Sequence, residues 1–185
     1  MNKNKLLSLD QIYNLNIDSI KKLYSEYINT HQSKILSRFS YGNDIFEKSE
    51  GLYLYTKENK KILDFSGGIG VLNHGHNNQK ILNSRIDFQY KQRMEVHKTV
   101  FSPYAAGLAH NIASLLPKNL CKSFFCNSGA ESVEGAIKAS YKYHKSNRKY
   151  IAHSNISFHG KTIGSGSVSG LFDQDKFPKI NNTLS

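Results

Sequence analysis

Apolar residues recur along the chain at two different spacings, and the switches between them set the order of elements. Residues 1 to about 16 read as a polar lead. Ile17, Ile20, Leu23, Tyr24, Tyr27 and Ile28 then lie three or four apart and predict an amphipathic helix. Two short runs, Gly51-Leu52-Tyr53-Leu54-Tyr55 and Lys61-Ile62-Leu63-Asp64-Phe65, flank Glu58-Asn59-Lys60 and predict an antiparallel hairpin. A glycine loop follows and leads to a helix near residues 78 to 93. Ser102 before Pro103 pairs an N-cap with a first-turn proline, which predicts a helix ending near Pro117. No internal repeat is apparent.

Beyond residue 122 the pattern changes to strand, turn and helix. Phe124, Phe125 and Cys126 form an unbroken apolar run that suits a strand buried on both faces of a parallel sheet. Gly129 lets backbone approach an anion closely, and Ala130, Val133, Ala136, Ile137 and Tyr141 then follow helical spacing. The N–H groups of Ser128, Gly129 and Ala130 would therefore point out of a helix N-terminus. A phosphate there gains charge-assisted hydrogen bonds and the favourable end of the helix dipole. The same residues have another use, because Ser128 and Glu131 are spaced as a capping box in which each side chain satisfies the other's backbone donor.

Lys149-Tyr150-Ile151-Ala152-His153 predicts a second buried strand, and Phe158 and His159 lie in the loop after it. Loops at the carboxyl ends of parallel strands are where α/β proteins bind ligands. An aromatic ring in that loop can stack on a flat heteroaromatic group. The plainer alternatives are a Phe158 that caps the core and a His159 that sits partly exposed.

Composition narrows the classes. The net charge of +11 and a pI near 9.6 invite a nucleic-acid reading. However, Lys3, Lys5, Lys21, Lys22, Lys60, Lys61, Lys91 and Arg93 fall in different elements rather than on one face, so nucleic-acid binding is not expected. Cys121 and Cys126 lie on or beside one strand, poorly placed to bridge, which fits reduced thiols. No apolar run suits a signal peptide or a membrane span, so no membrane association and a cytoplasmic location are expected. His74 and His76 could share a metal, but the intervening Gly75 turn and the lack of a nearby acidic or thiol partner argue against it. Gly160-Lys161-Thr162 has the ending of a triphosphate P-loop, yet Asn155 stands where its leading glycine belongs. The run from Gly164 to Gly170 nearly spells a dinucleotide fingerprint, with the third glycine one place late.

Several segments, taken in order, resemble one family. The hairpin runs quoted above, Gly67-Gly68-Ile69-Gly70-Val71-Leu72-Asn73-His74-Gly75-His76-Asn77, Phe124-Phe125-Cys126-Asn127-Ser128-Gly129-Ala130-Glu131 and Phe158-His159-Gly160-Lys161-Thr162 look like the class III pyridoxal-phosphate-dependent aminotransferases. The resemblance spans roughly residues 50 to 170. Within the family, the wording of the last two segments looks most like the putrescine and 4-aminobutyrate aminotransferases, which act on terminal amines.

The resemblance implies an α/β protein: the N-terminal part of the fold type I (aspartate-aminotransferase-like) transferases, a mostly parallel sheet with helices preceded by a small α+β segment. Residues 1–77 would be the N-terminal helix and antiparallel hairpin of the small domain, and residues 78–185 the first part of the cofactor domain. It further implies that Ser128, Gly129 and Ala130 hold the phosphate of pyridoxal 5'-phosphate. Phe158 would stack on the pyridine ring with His159 beside it. Ile69 would line the substrate pocket. Lys161 stands where acetylornithine-type members carry an arginine for the substrate carboxylate, and a lysine lacks that planar two-pronged fit.

The family's Schiff-base lysine and the aspartate that pairs with the pyridinium nitrogen lie downstream of the Phe-His-Gly segment, and neither has a candidate here. The expectation is the front portion of an enzyme, inactive by itself and poorly soluble. Complete members would pass an amino group from a terminal amine or ω-amino acid to a 2-keto acid and act as homodimers. The readings set against this one are a non-catalytic remnant and a P-loop-like phosphate- or nucleotide-binding module.

Overall fold

The computed structural model of the chain describes residues 6–95, 99–145, 147–148 and 150–170, with the backbone of residues 183–184. It falls into two compact units, Met1–Met94 and Glu95–Ser185.

The first unit begins with short helices, each started by its own polar side chain. Helix α1 (Leu9–Tyr13) lies inside the stretch expected to be a polar lead. Its cause is a capping box: Ser8 Oγ accepts from the Gln11 amide at 3.3 Å and Gln11 Oε1 accepts from the Ser8 amide at 3.0 Å. Helix α2 (Ile17–Leu23) starts at Asn16, whose side chain accepts from the Ser19 amide at 2.8 Å. The expected single helix through Ile28 instead widens into a π-helical segment, Tyr24–Asn29, before α3 (Thr30–Leu36). Asn29 takes up an extended backbone (φ −164°) and its side chain accepts from Gln32, which restarts the helix in a new direction.

Three antiparallel strands follow in the order β1 (Phe46–Glu50), β2 (Tyr53–Thr56) and β3 (Lys61–Leu63). The predicted hairpin is β2–β3, with Tyr53 opposite Leu63 and Tyr55 opposite Lys61. Its turn holds Asn59 at φ 61°, a left-handed conformation that asparagine tolerates. Strand β1 had little apolar signal, because after Phe46 its residues Glu47-Lys48-Ser49-Glu50 are all polar. It forms as a ladder on β2, with Glu50 opposite Tyr53. A four-residue turn, α4 (Gly67–Gly70), and the capped helix α5 (Gln79–Tyr90) complete the unit.

In the second unit, α6 (Pro103–Leu115) starts where Ser102 and Pro103 predict, with Ser102 Oγ accepting from the Ala105 amide. Helix α7 (Gly129–Tyr143) matches the periodic run from Ala130. Strand β4 (Ile151–Ala152) covers only the middle of the expected strand, whose first residue, Lys149, lies outside the described residues. It pairs in parallel with β5 (Thr183–Leu184), and α8 (Ile163–Ser167) lies between them in the chain.

The expected strand Phe124–Cys126 does not form. Phe124 is 75% exposed and Phe125 47% exposed, and no described strand pairs with them. A strand exists through ladder bonds to a neighbour, so an apolar run without one remains irregular. Both rings line a cleft of about 800 Å³ together with Phe101, Ala105 and Gly135. Val168 is the one buried hydrophobic side chain among the described residues. The two-residue parallel pair β4–β5 is all of the expected parallel sheet found among them.

Candidate functional site

Ser128 caps α7 from an extended backbone, and its Oγ accepts from the Glu131 amide at 3.2 Å. The reciprocal half of a capping box is missing. The Glu131 carboxylate turns instead to Asn127, accepting from its backbone amide at 2.8 Å and its side-chain amide at 3.2 Å. The Ser128 amide is thereby left open, and like the first-turn amides of Gly129 and Ala130 it has no hydrogen-bond partner among the described residues. Donors left open among the described residues at the positive end of a fifteen-residue helix are the geometry in which an anion can be received.

The loop carrying Phe158 and His159 sits against the start of this helix. A Cβ on Gly160 would lie 2.6 Å from Ala130 Cβ, so only a glycine there lets the loop reach the first turn of α7. Gly160 also has φ +124°, a conformation side chains rarely adopt. The His159 amide donates to Ser169 Oγ at 2.9 Å, and the same hydroxyl donates to the Ser165 carbonyl at 3.0 Å. Phe158 is 52% exposed, so it does not cap a core. Lys161 is exposed.

Thr162 and the residues after it are used for packing. Thr162 Oγ1 donates to Glu134 Oε1 on α7 at 2.5 Å, and the Ser165 amide donates to the same oxygen at 3.1 Å. These bonds, Thr162 first, hold the Glu134 carboxyl below its usual range. The Gly164–Gly170 run is a small-residue knot rather than a dinucleotide turn: Gly164, Ser165, Ser167, Val168 and Ser169 are buried, and Gly170 donates to the Ser157 carbonyl at 2.8 Å.

In the first unit, Ile69 stands at φ 63° and is 91% exposed at the tip of the glycine turn. The turn is tied from one side by Asp64. Its carboxylate accepts from Ser66 Oγ at 2.6 Å, the Ser66 amide at 2.9 Å and the Gly68 amide at 2.9 Å, and pairs with His76 Nε2 at 2.8 Å. Ser66 and then His76 are the main reasons the Asp64 carboxyl lies well below the ordinary carboxylate range. His76 therefore has an acidic partner after all, Asp64, in a hydrogen-bonded pair. Among the described residues no group of three or more His, Cys, Asp or Glu could hold a metal.

The geometry thus brings Ser128, Gly129, Ala130 and the Phe158–Gly160 loop together and describes Ile69 within the other unit. Reading the sequence missed Asp64 and Glu134. Asp64 had a usable signal in Asp64-Phe65-Ser66, the spacing by which an aspartate bonds the backbone two residues on. Glu134 had none, because its partners lie in a loop far along the chain.

The chain is similar to known proteins. A family model for class-III aminotransferases matches residues 40–179, and the chain belongs to that family. Among curated relatives, an acetylornithine aminotransferase of Aquifex aeolicus is 41% identical over 138 residues, 72% of this chain and 35% of the relative. A putrescine aminotransferase of Pectobacterium atrosepticum is 31% identical over 168 residues, 88% of this chain and 36% of the relative. The chain thus spans about a third of the length of either relative. Among solved structures, adenosylmethionine-8-amino-7-oxononanoate aminotransferase from Methanocaldococcus jannaschii superposes with a TM-score of 0.77 at 26% identity, over 91% of this chain and 40% of that one. Taurine:2-oxoglutarate aminotransferase from Bifidobacterium kashiwanohense, in complex with PLP and glutamate, superposes with a TM-score of 0.64 at 25% identity, over 84% of this chain and 34% of that one.

Proposed function

We propose that the chain carries the phosphate side of the cofactor site of a pyridoxal-phosphate-dependent aminotransferase. The observation that carries this reading is the Ser128 amide, left without a hydrogen-bond partner among the described residues. A plain capping box would have consumed it, and Glu131 is bonded to Asn127 instead. In this reading the Ser128, Gly129 and Ala130 amides orient the phosphate, Phe158 covers one face of the pyridine ring and excludes water from it, and His159 lies beside the ring. Bound pyridoxal phosphate would supply an electron sink for bond breaking at the amine carbon.

The substrate reading is a terminal amine or ω-amino acid as donor and a 2-keto acid such as 2-oxoglutarate as acceptor, in a homodimeric cytoplasmic enzyme. One relative is named for acetylornithine and another for putrescine. Lys161 favours the second, because a lysine cannot grip a carboxylate with a guanidinium's paired donors. In this reading Ile69 lines the substrate pocket, and its small neighbours Gly68 and Gly70 would leave room for an amine chain.

Equilibrium dialysis tests the site. The chain should retain pyridoxal phosphate, lose that retention with excess inorganic phosphate, and retain pyridoxal poorly. Retention of magnesium ATP in preference to pyridoxal phosphate would overturn the reading in favour of a nucleotide module.

A further inference from the structure

Glu134 lies one helical turn beyond Glu131 on α7, and its carboxylate leaves that helix to meet the segment after the Phe158 loop. Three donors converge on it: Thr162 Oγ1 at 2.5 Å, the Ser165 amide at 3.1 Å and the Gly164 amide. The approach is close enough that a Cβ on Gly164 would lie 2.2 Å from Glu134 Oε2. Thr162 Oγ1 is also 2.8 Å from Ser165 Oγ, and the Thr162 amide donates to that same Ser165 hydroxyl, so the Thr162–Ser165 turn is cross-tied before Glu134 reaches it. Four residues nearer the start of α7, Ala130 meets Gly160. One helix therefore holds the second loop at two points, sterically at Ala130 and by hydrogen bonds at Glu134.

We propose that Glu134 is a positioning residue that fixes the spacing between the phosphate seat at Ser128–Ala130 and the ring-covering loop at Phe158–His159. This rests on the reading of the site given above. In that reading Glu134 meets neither the phosphate nor the ring. It works through Thr162 and Ser165, whose hydroxyl and amide it fixes, and they in turn fix the exit of the loop. A ligand that bridges both halves depends on that spacing. A ligand that needs only the helix amides does not.

The test compares the wild-type chain with Glu134→Ala, Glu134→Gln and Thr162→Val, using amide hydrogen exchange and equilibrium dialysis. Glu134→Ala is expected to speed exchange at Gly164 and Ser165 and to weaken retention of pyridoxal phosphate, each by about tenfold. Retention of inorganic phosphate should stay within about twofold, because its donors are untouched. Glu134→Gln keeps one acceptor oxygen and should fall between Glu134→Ala and wild type. Thr162→Val should repeat the pattern at smaller size, and it carries the test if circular dichroism shows that Glu134→Ala does not fold. Unchanged exchange at both amides, or equal losses for the two ligands, overturns the proposal. If the wild-type chain retains no pyridoxal phosphate, the site reading fails, and exchange at Gly164 and Ser165 alone decides whether the clamp exists.

Discussion

The two glycine-rich segments use the same residue for opposite reasons. In the first unit, Gly67, Gly68 and Gly70 all have positive φ, and a Cβ on Gly67 or Gly70 would meet nothing within 4 Å. Glycine is there for torsion, and the turn is held from outside by one carboxylate, Asp64. In the second unit, Gly164 and Gly170 lie outside the positive-φ group but have no room: a Cβ on Gly170 would lie 2.1 Å from the Asn155 backbone. Glycine is there for contact, and the segment is held from inside by buried serines. A glycine pattern in a sequence therefore does not reveal which need it serves until the neighbours are known.

The largest effect that would test this contrast belongs to Gly170→Ala. Backbone cannot yield as a side-chain tip can, so destabilisation of about 3 kcal/mol is expected for the second unit in urea unfolding. A loss under about 0.5 kcal/mol would show that the close approach is not needed. Gly67→Ala should cost less, about 1 to 2 kcal/mol, from left-handed strain alone. Gly67→Asn should recover part of that loss, since asparagine tolerates the conformation, and a Gly67→Ala penalty equal to that at Gly170 would erase the distinction. Ser128→Ala removes the α7 cap and should cost about 1 kcal/mol while leaving the Ser128 amide in place.

The smallest effect is confined to acid. Asp64 is held below its ordinary value, so its contribution is complete above the unfolded carboxyl pKa of about 3.9 and is lost as pH falls below that toward the folded value. Amide exchange at Ser66 and Gly68, corrected for intrinsic rates, should therefore rise in that window. Asp64→Asn should flatten the rise, and a variant with the wild-type pH dependence would remove Asp64 as the tie.

Much of the helical framework was legible in the sequence, because caps and apolar spacing are local. Ser102-Pro103 and the Ala130–Tyr141 periodicity each predicted an element that formed. The β2–β3 hairpin was legible for the same reason, with Asn59 at its turn. What failed depended on partners elsewhere. Phe124–Cys126 has strand composition but no ladder neighbour among the described residues, whereas polar β1 has poor composition and forms because β2 supplies one. The same holds for the site. Gly129 and Ser128 mark the start of α7 by local sequence, but only the fold shows that Glu131 turns to Asn127 instead of the Ser128 amide and that Glu134 reaches Thr162.

The bridge between Gly51 and His76 makes the first unit's hairpin and glycine turn parts of a closed ring, through paired bonds of 3.0 and 2.7 Å. Loop-closure entropy grows only slowly with length, so a ring already closed at its base tolerates extra residues at its outer edge. The Glu58–Lys60 corner, already bent by Asn59, is where a reporter peptide can be spliced in without opening the clasp.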